Sequence, residues 1–154
     1  MLVIGVGNPD RGDDAAGLHV ARAVAARGLP GVVVIEAGGD ALGLLDQWQD
    51  ASMVVLIDAA APDRAPGRVR RLDATARALP RGLGLGSSHV FGVAEAVELA
   101  RGLGRLPPRL IVFAIEAGEC GIGAPLSAAV AAEVAPVAAR VEAELVGQEA
   151  DADA

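Results

Sequence analysis

The sequence predicts a three-layer α/β/α sandwich around a mostly parallel, twisted sheet of about five strands. Short apolar runs alternate along the chain with longer segments of helical period, which is the order expected when helical crossovers join parallel strands. Most of the apolar runs are nearly continuous, as in strands that helices cover on both faces. One further run, Gly67 to Leu72, alternates polar and apolar residues, which predicts an edge strand that could be antiparallel.

The predicted elements follow from these patterns in order. Buried strands are predicted at residues 2–6, 32–35, 53–57 and 110–115. Helices are predicted at residues 13–27, 40–49 and 88–103, and in a C-terminal segment where apolar residues recur at helical spacing from Leu126 to Leu145. Pro136 lies inside that last helix and predicts a kink or a break. Asp40 is a candidate N-cap of the second helix, and Ser87 or Ser88 of the third.

Length and charge narrow the classes of function. A chain of 154 residues with 53% hydrophobic residues predicts a single domain, here residues 1–146, followed by an acidic tail at 147–154 that we expect to be disordered. A net charge of −7 argues against nucleic acid as a partner. No apolar run is long enough to span a membrane. The start lacks a basic segment followed by an apolar stretch and a small-residue cleavage site, so we do not expect a secreted protein. With Cys120 as the only cysteine, these features predict a cytoplasmic protein.

The first loop, "GVGNPDRGDD", has the glycines of a phosphate-binding turn but ends in carboxylates. Asp10 stands where a dinucleotide-binding loop needs its third glycine, and no Gly-Lys-Ser/Thr follows. Carboxylates around a pyrophosphate would weaken its binding, so a nucleotide is disfavoured. For Asp13 we expect a structural role, the N-cap of the first helix.

Three residues share a position in the predicted topology: Asp14, Asp58 and His89 each lie at a strand-to-helix junction on the same edge of the sheet. Two carboxylates and a neutral imidazole can hold a divalent metal such as nickel or zinc and leave positions open for a substrate. Each residue also has a structural alternative. Asp14 could be an acidic residue in the first turn of a helix, where the helix dipole favours it. Asp58 could be a turn residue or a helix cap, and His89 could simply make local hydrogen bonds.

The motifs resemble those of the hydrogenase maturation proteases, and they occur in the family's order from about residue 2 to residue 146. The stretches that carry the resemblance are "GVGNPDRGDDAAG", "EAGGDALGLL", "VVLIDAA", "SSHVFG" and "IEAGECGIGAPLSAAV". The resemblance implies an endopeptidase that removes the C-terminal extension of a nickel-iron hydrogenase large-subunit precursor after nickel insertion.

Carried over by position, the family's nickel-contacting residues fall on Asp14, Asp58 and His89. The nickel would belong to the substrate, although zinc or cadmium could occupy the site in a crystal. Either Asp14 or Asp58 could act as the general base. We expect the protein to be a monomer whose partner is the precursor.

Three alternatives remain open at this point. Cys120 could act as a nucleophile beside His89. The protein could be a non-catalytic nickel-binding chaperone or a checkpoint in hydrogenase assembly, since the same three ligands would serve either role. It could also be a flavodoxin-like cofactor binder.

Overall fold

A computed structural model of the chain describes residues 1–38, 40–62, 65–81, 83–84 and 92–152. The described residues form one five-stranded sheet in the order β2-β1-β3-β5-β4. The first four strands of this order are parallel, and β4 pairs antiparallel with β5 at the edge. The strands are β1 (Leu2–Val6), β2 (Val33–Ala37), β3 (Met53–Ala60), β4 (Val69–Asp73) and β5 (Arg109–Glu116). The predicted sheet, with its antiparallel edge strand, is therefore confirmed.

Helices cover both faces of the sheet, which confirms the predicted three layers. The helical elements are a 3-10 turn (Gly12–Ala15), α1 (Ala16–Ala25), α2 (Ala41–Gln47), α3 (Val93–Gly102) and α4 (Ala128–Ala152). Alternate side chains of each central strand point to opposite faces. In β3, Val55 packs with residues of α1 and α4, whereas Leu56 packs with residues of α2 and α3. Asp40 caps α2 as predicted, because its carboxylate accepts a hydrogen bond from the Gly43 N–H at 3.1 Å.

Two predicted strands differ from the structure in burial or by more than two residues at one end. β2 was predicted to be buried on both faces, but it is an edge strand that pairs with β1, and Val33 is 59% exposed. β3 continues to Ala60, three residues beyond the apolar run, because Asp58, Ala59 and Ala60 keep pairing with β5. Asp58 therefore lies inside a strand and not in the turn that follows one.

The helix boundaries also differ from the prediction. α3 begins at Val93, after an extended Gly92 whose N–H donates to the Glu95 carboxylate at 3.0 Å. The predicted caps Ser87 and Ser88 lie outside the described residues. α4 continues to Ala152, so the backbone of residues 147–152 is helical where a disordered tail was predicted. In this segment the glutamine, the single glutamate and the two alanines are residue types that favour a helix.

Pro136 does not split α4. An interior proline costs about 3 kcal/mol. The same helix buries four large side chains against the sheet, each contributing roughly 1.5–3 kcal/mol, so packing outweighs the penalty. These side chains are Val130, Val137, Val141 and Leu145.

Among the described helices, none combines the length and the apolar character needed to cross a membrane.

Candidate active site

The loop after β1 brings Asp14 to the carboxyl edge of the sheet. Gly7 has a φ of +154°, and a Cβ there would collide with the carbonyl oxygen of Asp14. Only glycine therefore allows the backbone of Asp14 to pack this closely against residue 7. Asp14 is 6% exposed, and its Oδ2 accepts a hydrogen bond from the Asn8 N–H at 3.1 Å. The 3-10 turn that carries Asp14 contacts β3. One turn later, Gly17 packs directly against the carbonyl oxygen of Ile57, the residue before Asp58.

Asp58 lies at the same edge, on a strand between β1 and β5. The pairing of β1 with β3 ends at Gly5 and Ile57, so Asp58 is the first residue of β3 beyond it. The alternation of side chains puts Asp58 on the α2 and α3 face, with Leu56 before it and Ala60 after it. Its side chain is 1% exposed. The structure thus brings two predicted carboxylates to contacting elements at one edge of the sheet.

His89, the third predicted ligand, lies outside the described residues. Within the part of the chain that the structure describes, no three histidine, cysteine, aspartate or glutamate side chains form a group able to hold a metal ion. The convergence of Asp14, Asp58 and His89 on one metal therefore stays a prediction.

Asp13 does not cap the first helix, so that prediction is wrong. Among the described residues, no side chain caps the 3-10 turn or α1. The fully buried carboxylate of Asp13 instead accepts hydrogen bonds from the backbone N–H groups of Gly118 (2.8 Å), Glu119 (2.9 Å) and Ser127 (2.7 Å). The Ser127 hydroxyl donates a fourth bond at 2.8 Å. Asp13 therefore ties the first loop to the β5–α4 loop, residues 117–127.

Backbone contacts extend this connection between the two loops. The Asp13 N–H donates to the Glu119 carbonyl at 2.7 Å, and the Gly123 N–H donates to the Asp10 carbonyl at 2.7 Å. The Arg11 Nε donates a longer bond of 3.4 Å to the Cys120 carbonyl. The two loops consequently form one wall beside Asp14.

The family of the chain follows from a direct comparison. A family model described as hydrogenase maturation protease, HycI, matches residues 18–144. The chain belongs to this family. The matched stretch contains Asp58 and His89, and Asp14 lies four residues before it. Membership of a protease family confirms the predicted class of enzyme, a peptide hydrolase of hydrogenase maturation. No curated protein matches the chain.

Solved structures of hydrogenase maturation proteases share the fold. The NiFe hydrogenase maturation protease HybD from Thermococcus kodakarensis is 28% identical, with a TM-score of 0.71, and the alignment covers 94% of this chain and 97% of that one. The hydrogenase maturating endopeptidase HybD from E. coli is 23% identical, with a TM-score of 0.74 and coverage of 96% and 92%. A further E. coli endopeptidase is 20% identical, with a TM-score of 0.76 and coverage of 96% and 94%. At 23% and 20% identity, the likeness to the two E. coli structures supports only the fold of this chain.

In this maturation protease Cys120 is poorly suited to act as a nucleophile. Burial raises the pKa of its thiol, and the nearby carboxylates of Asp14 and Asp13 raise that pKa further. A raised pKa keeps the sulfur protonated at neutral pH, whereas the thiolate is the nucleophilic form. We therefore expect Cys120→Ser to cleave the precursor as fast as the wild type, measured by the appearance of the shortened large subunit on a gel. Loss of cleavage in a folded Cys120→Ser protein would restore the nucleophile hypothesis.

Sequence reasoning missed Glu116, a further buried carboxylate of the protease at this edge. It ends β5, pairs with Ala60 and is 2% exposed. Its Oε2 accepts a hydrogen bond from the Ala65 N–H at 3.0 Å, and its Oε1 lies 3.5 Å from the Arg68 Nη1. The argument that identified Asp58, a carboxylate at the end of an apolar run, applies equally to Glu116 and would have found it.

The stability of the protease should depend on pH through Asp13. Burial alone would raise the pKa of Asp13, but the hydrogen bonds from Glu119, Ser127 and Gly118 outweigh it, and the pKa lies below the ordinary 3.8. The unfolded chain therefore binds this proton more readily than the folded chain. The stabilisation is complete above the unfolded pKa and is lost as the pH falls through the lower folded pKa.

Urea unfolding from about pH 6 to about pH 3 measures this effect. The free energy of unfolding should fall more steeply for the wild type than for Asp13→Asn. Hydrogen bonds from Arg22 and Arg71 lower the pKa values of Glu36 and Glu144. These two glutamates therefore contribute equally to the pH dependence of the free energy of unfolding in both proteins. Parallel curves for the two proteins would contradict the assignment to Asp13.

Proposed function

We propose that this chain is the endopeptidase that removes a C-terminal extension from the large-subunit precursor of a nickel-iron hydrogenase after nickel insertion. The observation that carries the proposal is the match to hydrogenase maturation proteases over residues 18–144. The name of the Thermococcus kodakarensis neighbour, a NiFe hydrogenase maturation protease, supports the nickel-iron class. We expect the reaction to take place in the cytoplasm, with the enzyme as a monomer.

Asp14, Asp58 and His89 are proposed to contact the nickel that the precursor carries. Carboxylate oxygens and imidazole nitrogens can complete the coordination sphere of a metal that the substrate already holds. The burial of Asp14 and Asp58 supports this role, because a carboxylate shielded from water binds a cation more strongly than an exposed one. Zinc or cadmium are suitable stand-ins for the nickel in binding experiments.

The proposed chemistry is hydrolysis of one peptide bond beside the substrate's nickel. The nickel polarises the carbonyl group. Asp14 or Asp58 takes a proton from the attacking water as general base and returns it to the departing amine. The water oxygen bonds to the carbonyl carbon and the C–N bond breaks, which leaves a new carboxyl terminus on the mature subunit and a free extension peptide.

Incubation of the purified protein with the precursor tests the proposal. We expect a shortened large subunit on a gel when the precursor carries nickel, and an unchanged band when it is nickel-free. A stable complex with the nickel-loaded precursor but no shortening would instead identify a non-catalytic chaperone or checkpoint. Mass spectrometry of the released peptide reports which bond is cut.

A further inference from the structure

A cavity of about 260 Å³ opens at the carboxyl edge of the sheet, where Ala60, two residues beyond Asp58 on β3, forms part of its lining. Its lining includes Ala60 at the end of β3, Glu116 at the end of β5, Arg70 of β4, and Arg81. A second cavity of about 400 Å³ shares Pro80, Arg81 and Leu83 with the first, so the two spaces adjoin at these three residues. Two adjoining cavities of this size can accept several residues of an extended peptide.

The strand register places Arg70 in line with Asp58. Asp58 of β3 pairs with Ala114 of β5, and Ala114 pairs in turn with Arg70 of β4. The three residues therefore form one row across the sheet, on the face that α2 and α3 cover. The Cα atoms of Asp58 and Arg70 are two strands apart, about 10 Å. Because the residue between them is an alanine, no large side chain of the sheet separates the guanidinium from the region of Asp58.

Arg70 has an unused hydrogen-bond donor in this position. Its Nε is buried, and among the described residues it has no hydrogen-bond partner. Buried donors in folded proteins are nearly always paired, so an unpaired one calls for a specific reason. Glu116, the carboxylate in the same lining, accepts from the Ala65 N–H and the Arg68 guanidinium. A ligand that brings an oxygen atom into the cavity would satisfy the Nε donor of Arg70.

We infer that Arg70 is a substrate-binding residue. Its guanidinium donates hydrogen bonds to an oxygen of the precursor segment that passes through the cavity. The acceptor is a peptide oxygen, either a backbone carbonyl or a side-chain carboxylate, and charge assistance strengthens the bond in either case. This inference rests on the proposed function, because it requires a peptide drawn across the edge of the sheet next to Asp58.

Steady-state cleavage by Arg70→Gln and Arg71→Gln tests the inference. The neighbouring Arg71 is a matched control, since it lies on the other face of β4 and pairs with Glu144 of α4. We expect KM for the nickel-loaded precursor to rise at least roughly 10-fold in Arg70→Gln, with intermediate values in Arg70→Lys. KM should stay at the wild-type value in Arg71→Gln.

Thermal unfolding separates binding from a structural role. Removing a buried donor that has no acceptor among the described residues should leave the Tm of Arg70→Gln at or above that of the wild type. Arg71→Gln, which loses an ion pair, should have a Tm no higher than the wild type. An unchanged KM in Arg70→Gln, or a KM increase matched by a clear loss of Tm, would overturn the inference.

The two kinds of acceptor are distinguished by changing the substrate. Acidic residues near the cleavage site of the precursor are replaced by their amides. If the wild-type KM rises to the Arg70→Gln value, the acceptor is a carboxylate. If the difference between the two enzymes persists, the acceptor is a backbone carbonyl. If the wild type leaves the precursor uncut, the proposed function fails. The role of Arg70 is then tested by the Kd of each protein for the precursor. Weaker binding by Arg70→Gln supports that role, and equal binding refutes it.

Discussion

Replacement of Asp58 by asparagine is expected to leave a folded protein that cleaves the precursor at least roughly 100-fold more slowly. Asparagine keeps the size of the buried side chain, which is 1% exposed, so the packing on β3 should be retained. It removes the negative charge that would bind the substrate's nickel or accept a proton from water. The rate is measured as shortened large subunit per minute on a gel, and the fold by circular dichroism.

Asp50→Asn provides the control for this experiment. It makes the same change of charge on an exposed residue of the turn after α2, away from the carboxyl edge of the sheet. We expect Asp50→Asn to cleave at the wild-type rate. Wild-type cleavage by Asp58→Asn as well would remove Asp58 from the site and leave the proposed chemistry without one of its carboxylates.

Loss of the Asp13 carboxylate is expected to have the largest effect on stability. In the wild type, the backbone N–H groups of Gly118 and Glu119 donate to one oxygen of the Asp13 carboxylate, and that of Ser127 donates to the other. In Asp13→Asn the amide N–H₂ group replaces one of these oxygens. In either orientation of the amide, a donor therefore faces at least one backbone donor. Hydrogen bonds to a charged group each contribute about 1.5–3 kcal/mol, and a buried donor left unpaired costs about 1–3 kcal/mol. Because the loops can relax, we expect a net loss of about 3 kcal/mol in the free energy of unfolding.

Urea unfolding at neutral pH measures this loss. The matched control is Asp10→Asn, a change in the same loop at a residue whose side chain is exposed and whose contacts to Asn8 and Gly123 use the backbone. We expect the control to unfold at the wild-type urea concentration. Equal midpoints for Asp13→Asn and Asp10→Asn would show that the connection between the two loops contributes little to stability.

The parts of the fold that depend on periodicity were predictable from the sequence. The continuous apolar runs of β1, β3 and β5 reflect burial on both faces, and the alternation of "GRVRRL" reflects the edge position of β4. The exposure of β2 was not predictable in the same way. Its run of valines and isoleucine is as apolar as a central strand, and only the strand order makes it an edge.

The candidate site was predictable where topology alone positions a residue. Asp58 follows an apolar run, so its place at the carboxyl edge follows from the parallel sheet. The partners of Asp13 lie 105 to 114 residues further along the chain, and local sequence contains no signal for such a contact. Arg70 was missed because the polar residues of an alternating edge strand are expected to face solvent. In this strand one of those residues, Arg70, lines a cavity instead.

The central claim is that Asp14, Asp58 and His89 hold one metal ion together. Anomalous diffraction from a crystal soaked in zinc or cadmium tests it most directly. We expect one ion bound by an oxygen of Asp14, an oxygen of Asp58 and a nitrogen of His89, at about 2.0–2.2 Å when the ion is zinc. An ion bound elsewhere, or one that leaves any of the three side chains out of its coordination sphere, would contradict the account.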